Sequence, residues 1–134
     1  MNFFSRLCKG QDGQAMVEMA LILPILLMLC LGIFEFGRIM GSFMVINNLA
    51  RDGARFGVVG HSDAEITNQV LAGHAWLDEN NMTVTISPDF ASRNAGEALK
   101  VDIDYSVPLM TSFFASIVNQ NTVFLSAQCS MRVE

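Results

Sequence analysis

An uncharged apolar run near the N-terminus constrains the chain most. It covers Met19–Phe34 and has the sequence MALILPILLMLCLGIF. As a helix with a rise of about 1.5 Å per residue it spans about 24 Å, which is short for a hydrocarbon core of about 30 Å. Crossing a bilayer therefore requires help from Ala15–Val17 or Phe36, or a position within a protein assembly. The run predicts a single membrane-spanning helix, in which Pro24 causes a kink or a local loosening.

This helix is predicted to be an anchor and not a cleaved signal peptide. No A-x-A-like cleavage site follows Phe34, where the sequence continues with Glu35, Phe36, Gly37 and Arg38. Basic residues lie on both sides of the run, so their distribution does not decide the orientation. The short leader and the free amine favour a cytoplasmic N-terminus, which places the C-terminal domain outside.

The length of 134 residues allows one small domain in addition to one membrane segment. The net charge is −5 with 8 basic residues, which argues against nucleic-acid binding. Cys8, Cys30 and Cys129 lie before, inside and far beyond the apolar run, so no intrachain disulfide is expected.

A leader that ends in glycine directly precedes the apolar helix. Gly13 is followed by Gln14, and Glu18 lies five residues after the glycine. This arrangement resembles the processing site of type IV prepilins, in which a membrane aspartyl prepilin peptidase cuts after the glycine on the cytoplasmic side. The resemblance implies a leader of residues 1–13 and a mature chain that begins at Gln14, with Glu18 in its fifth position.

A carboxylate at Glu18 needs a partner or access to water. Insertion of an acidic side chain into the bilayer costs about 2.5–3.5 kcal/mol. The resemblance implies that Glu18 pairs with the N-terminal amine of an adjacent subunit, which would fix the axial register of the helices. The alternative is that Glu18 lies at the interface and reaches water. The spacing from Gly13 favours the pairing.

Longer stretches carry a more specific resemblance. The sequence GQAMVEMALILPILLMLCLGIFEFGRIM, the later NNLARDGARFGVV, the run VDIDYSVPLMTSFF and the closing AQCSMRVE resemble the TadE-like family of minor pilins or pseudopilins of tight-adherence (Tad, or Flp) pili. The resemblance implies a role in pilus assembly, priming, or tip or base structure. It implies as partners a prepilin peptidase, other minor pilins, the major pilin and the inner membrane, with no cofactor and no small-molecule substrate. An unprocessed, membrane-anchored adapter of a secretion or pilus machine is the alternative, and cleavage at Gly13 distinguishes the two.

Small residues recur at helical spacing beyond the membrane run. The helix is predicted to continue to about residue 60, so that residues 14–60 form one membrane and stalk helix. Two G-x-x-x-G steps, which lie at Gly37 and Gly41 and at Gly53 and Gly57, allow another helix to approach closely. For Gly53 and Gly57, packing against the chain's own domain or a bend is an equally good interpretation.

Residues 61–134 are predicted to form a small extracytoplasmic domain. An S-x-x-E capping box at Ser62 predicts a helix that runs towards Asp78. Alternating apolar residues predict three strands, and a hydrophobic segment with a helical turn is expected before the last one. The strands are Thr83–Ser87, Leu99–Val107 and Thr122–Val133. The fold class is α+β, with a three-stranded antiparallel sheet whose apolar face packs on the short helix and on the stalk.

Three aromatic residues of this domain have two possible roles. Trp76, Phe113 and Phe114 lie in apolar stretches, and such residues usually fill a core. Because the domain is small, they are alternatively part of an interface. The core role is the expectation.

The sequence offers little for catalysis. His74 and Asp78 form the best candidate pair if both lie on one helix, but a catalytic zinc site needs three protein ligands. There is no G-x-S-x-G, P-loop or G-x-G-x-x-G motif. Cys129 is interpreted as a small buried hydrophobic residue. The chain is not expected to be an enzyme or to bind a metal.

Overall fold

The computed structural model describes residues 11–133. Helices α1 (Gln11–Gly57) and α2 (Asp63–Ala72) come first, and they are followed by strand β1 (Met82–Ser87), strand β2 (Ala98–Pro108), helix α3 (Ser112–Val118) and strand β3 (Thr122–Arg132). The predicted α+β class is confirmed. Most of the predicted leader of residues 1–13, including Cys8, lies outside the described residues.

The chain divides into two compact units, the first ending at Phe36 and the second comprising Gly37–Glu134. In the first unit, α1 is long and apolar enough to cross a membrane once. Its large apolar side chains from Met16 to Phe34 are exposed. Pro24 lies inside the helix without ending it.

The second unit is built on an antiparallel sheet with the strand order β1-β2-β3. Ile103 of the central strand pairs with Val84 on one side and with Ala127 on the other. Every second residue of β2 points to the same face of the sheet, and all of these residues are buried, as their alternation predicted. They are Leu99, Val101, Ile103, Tyr105 and Val107.

The later part of α1 and one face of α2 cover the apolar side of the sheet. Buried residues recur along α1 every three or four positions, as expected for a helix with one face in a core. Ile66 and Val70 of α2 join the same cluster. The predicted packing of the sheet on both helices is confirmed. The α1 residues concerned are Ile46, Leu49, Ala50 and Ala54.

The prediction that the short helix continues to Asp78 is wrong, because α2 ends at Ala72. The N–H of Gly73 donates a 3.1 Å hydrogen bond to the carbonyl of Val70. A Cβ built on Gly73 would lie 2.7 Å from Cδ2 of Leu49, so a glycine is needed where the chain passes α1. A glycine after a helical pattern is a recognised stop signal, and Gly73 marks the end of α2 in this way.

Candidate functional site

The predicted processing site lies in the first turns of α1. Because α1 begins at Gln11, Gly13 and Gln14 are both helical. The side-chain amide Nε2 of Gln14 donates a 3.1 Å hydrogen bond to Oε1 of Glu18, and both residues are exposed. Residues four apart share a helix face. Two carboxylate oxygens together accept about four hydrogen bonds, so the Gln14 amide leaves Glu18 with acceptor capacity.

The glycine pair near the end of α1 packs inside the second unit. A Cβ built on Gly53 would lie 2.7 Å from Cγ2 of Val70. A Cβ on Gly57 would lie 2.7 Å from Cδ1 of Ile66 and would overlap Cδ2 of Leu99. Of the two interpretations of this pair, the structure therefore shows the close approach to the chain's own domain.

The first glycine pair has different surroundings. A Cβ on Gly37 would have no neighbour within 4 Å among the described residues. At Gly41, by contrast, a Cβ would lie 3.3 Å from Cζ2 of Trp76. The open side of this pair is therefore at Gly37, and the indole ring covers Gly41.

The expected core role of Trp76 and Phe113 is wrong. Their exposed fractions are 55% and 48%, respectively. Phe114 is half-buried and contacts Phe113 edge to face, with ring centroids 5.5 Å apart. The core is filled mainly by aliphatic side chains of β2 and the helices, together with Tyr105, which leaves these aromatic rings at its margin.

Residues 13–55 match the family model described as TadE-like protein. This part of the chain is similar to TadE-like proteins. The match begins at Gly13, includes the whole apolar run and ends two residues before the end of α1. No curated protein and no solved structure shows significant similarity to the chain. The C-terminal stretches that resemble the family lie outside the match.

His74 and Asp78, the candidate catalytic pair, each contact other residues. His74 follows the end of α2, and its Nδ1 lies 3.2 Å from Oε1 of Glu79. Asp78 instead accepts a 3.0 Å hydrogen bond from the backbone N–H of Asn80 and caps a short 3-10 turn. Within residues 11–133, no group of three or more His, Cys, Asp or Glu side chains is placed to hold a metal ion.

A buried ion pair was not anticipated from the sequence. Arg93, whose side chain is 4% exposed, pairs with Asp63 at the start of α2. Arg93 also donates a 3.0 Å hydrogen bond to the carbonyl of His61, while Asp63 accepts one of 2.9 Å from the N–H of Phe90. The pair therefore joins the start of α2 to the loop between β1 and β2. Thirty residues separate Arg93 from Asp63, so no local pattern reveals the contact.

Arg38 makes a second contact that sequence patterns do not reveal. Its Nη2 donates a hydrogen bond to the carbonyl of Pro108, which lies 70 residues further along the chain. The Arg38 carbonyl in turn accepts a 3.0 Å hydrogen bond from Oγ of Ser42, which is buried. Because a charged donor strengthens such a bond, Arg38 holds the end of β2 against the second unit's part of α1.

Proposed function

We propose that this chain is a minor pilin or pseudopilin of a tight-adherence type IV pilus. It is cleaved after Gly13 by a prepilin peptidase and acts in assembly, priming, or tip or base structure of the filament. The TadE-like match carries the proposal, because it begins at the glycine that would end the leader. The helix that follows is long and apolar enough to span a membrane once. We place this helix in the bacterial inner membrane, with a cytoplasmic N-terminus and a periplasmic C-terminal domain.

Glu18 supplies the polar contact between subunits. Its carboxylate is exposed on an apolar helix, and the amide of Gln14 that binds it carries no charge. An uncompensated carboxylate near lipid is costly, so an amine nearby would stabilise it. Cleavage after Gly13 creates such an amine at Gln14 of every subunit. Pairing of Glu18 with the amine of a neighbouring subunit then sets the register between their helices.

The part of α1 that contacts other pilins is N-terminal to the residues that pack in the core of the second unit. Side chains of the second unit already pack against Gly53 and Gly57, so this face of α1 is occupied. Exposed apolar residues from Met16 to Phe34 and the open backbone at Gly37 remain for contact with neighbouring helices. Other minor pilins and the major pilin are the partners that such a surface fits.

The experiment that tests this function is the intact mass of the protein extracted from membranes of its native host. The expected mass is that of a chain beginning at Gln14, and Gly13→Ala should abolish this species. Gly10→Ala is the matched control, because it changes the other glycine of the leader and leaves the cleaved bond intact. Native protein that keeps its leader while the peptidase is active would instead support an unprocessed adapter.

A further inference from the structure

One end of the second unit contains residues 37–41, the first residues of α1 that belong to this unit. The carbonyl of Pro108 binds Arg38, and the ring of Trp76 lies beside Gly41. The connection from β2 to β3 leaves and rejoins the sheet at this same end, because Pro108 pairs with Thr122. We call the region formed by residues 37–41, Trp76 and residues 108–121 the proximal end.

Large apolar side chains are exposed at the proximal end. Besides Trp76 and Phe113, they include Met40, Met110 and Ile117, which are 45%, 70% and 64% exposed. Phe113 and Ile117 are four residues apart on α3 and therefore share one helix face. Single exposed apolar residues are common on protein surfaces, but several of them at one end of a domain mark an interaction surface.

The segment that contains α3 and its flanking loops has no charged side chains. The sequence between Tyr105 and Met131 contains no Asp, Glu, Lys, Arg or His, although the whole chain has 21 charged residues and a net charge of −5. At Pro108 its backbone carbonyl accepts a hydrogen bond from the guanidinium of Arg38. An apolar surface without charged side chains complements lipid, whose acyl chains exclude charged groups.

The position of the proximal end along the chain matches the lipid headgroups. Arg38 and Gly41 follow Phe36 by two and five residues, which corresponds to about 3 Å and about 8 Å along a helix. A bilayer has a polar layer of about 5–8 Å on each side of its hydrocarbon core. If the hydrocarbon ends near Phe36, these two residues lie at headgroup depth, together with the groups that contact them.

We propose that the proximal end rests on the lipid surface of the membrane that holds α1. Trp76, Met110, Phe113 and Ile117 insert among the headgroups and the upper acyl chains, as aromatic and aliphatic residues do at membrane interfaces. The contact rests on the membrane anchoring of the proposed function. This contact holds the domain against the bilayer, and it is lost when a subunit leaves the membrane to enter a filament.

The fluorescence of Trp76 tests this contact, because it is the single tryptophan of the chain. The full chain is reconstituted into vesicles of phosphatidylethanolamine and phosphatidylglycerol, and phospholipids brominated at different acyl positions serve as quenchers. We expect blue-shifted emission, protection from acrylamide, and stronger quenching by bromine near the headgroup than by bromine near the chain end. Flotation of the chain with the vesicles, measured in each sample, reports anchoring separately from the lipid contact.

A pair of variants separates lipid contact from other causes. Phe113→Ser combined with Ile117→Ser should shift the emission to the red and remove quenching by brominated lipid. Val59→Ser should change neither property, because Val59 is exposed beyond the opposite end of the second unit's part of α1. Phe113 and Ile117 are both exposed, so the double substitution is not expected to prevent folding. The circular dichroism spectrum checks this.

Three results would overturn the lipid contact. A floating chain whose Trp76 is open to acrylamide and insensitive to brominated lipid has no such contact. Protection that disappears when the chain is diluted with lipid would assign the surface to a neighbouring protein. A chain that does not float would refute the anchoring and the contact together, whereas leader cleavage is decided independently by the mass measurement.

Discussion

A Cβ built on Gly57 would lie 2.7 Å from Cδ1 of Ile66. It would also overlap Leu99, and both neighbours are fully buried, so neither can move easily. We expect Gly57→Ala to lower the free energy of unfolding by about 1–3 kcal/mol, the usual cost of overpacking a core. Urea denaturation of the full chain in detergent, followed by circular dichroism, measures the change.

Gly37→Ala is the matched control for this substitution. Gly37 lies in the interior of α1, and an added methyl group there would have no neighbour within 4 Å among the described residues. Alanine is a better helix former than glycine by about 1 kcal/mol, so Gly37→Ala should leave stability unchanged or raise it. Equal destabilisation by both substitutions would contradict the close packing of Gly57.

Loss of Arg93 should destabilise the second unit strongly. Arg93→Ala leaves Asp63 without its cation and leaves the carbonyl of His61 without a donor. We expect a loss of about 2–3 kcal/mol, below the full cost of breaking a buried pair because Asp63 is partly exposed. Thermal unfolding of the full chain in detergent measures it.

Lys100 offers a matched control for Arg93. Its Nζ lies 3.1 Å from Oδ2 of Asp102, but the lysine side chain is exposed. Lys100→Ala should therefore cost less than about 1 kcal/mol, as is usual for surface ion pairs. If Arg93→Ala cost no more than Lys100→Ala, the buried pair would not be important for stability.

Glu65 should make stability depend on pH in the acidic range. Hydrogen bonds from the backbone N–H and the hydroxyl of Ser62 lower the pKa of Glu65 below its ordinary value of 4.5, and His61 lowers it further. A lowered folded-state pKa stabilises the fold above the unfolded-state pKa, and this contribution is lost as the pH falls through the folded-state value. The stability difference between wild type and Glu65→Gln, measured by urea denaturation at a series of pH values, should thus be present near neutral pH and vanish well below pH 4.5.

The hydroxyl donor can be removed separately. Ser62→Ala takes away the side-chain donor and leaves the backbone N–H of residue 62 in place. The acid-dependent part of the stability should then decrease without disappearing. A Glu65→Gln difference that stayed constant from neutral to acidic pH would show that the carboxylate charge is not involved.

Glu18→Gln tests the pairing with an amine in a neighbouring subunit. The amide keeps the size of the side chain but cannot neutralise an ammonium group, so we expect loss of co-purification with the other pilins. Gln14→Ala removes the hydrogen bond within the helix and keeps the new amine, so assembly should persist. Intact masses establish that both variants are processed, and normal assembly of Glu18→Gln would refute the pairing.

Local sequence patterns were sufficient for the features that depend on neighbours along the chain. The S-x-x-E pattern predicted the hydrogen bonds between Glu65 and Ser62 that begin α2. The alternation along β2 predicted which face of the strand is buried, and that of β3 predicted which side chains face the core. Helices and strands repeat at fixed intervals, so such patterns need no knowledge of the rest of the fold.

Only the tertiary structure decided which of these elements approach each other. It placed Arg93 beside Asp63, filled the space at Gly53 and Gly57 with the chain's own side chains, and left Trp76 exposed. The sequence by itself determined the apolar run, the glycine before it, and the alternation of the strands. The contacts could not be predicted from it alone, because burial depends on groups that come together from distant parts of the chain. Two segments with the same local pattern can pack against different partners, and only the three-dimensional structure shows which partner is close.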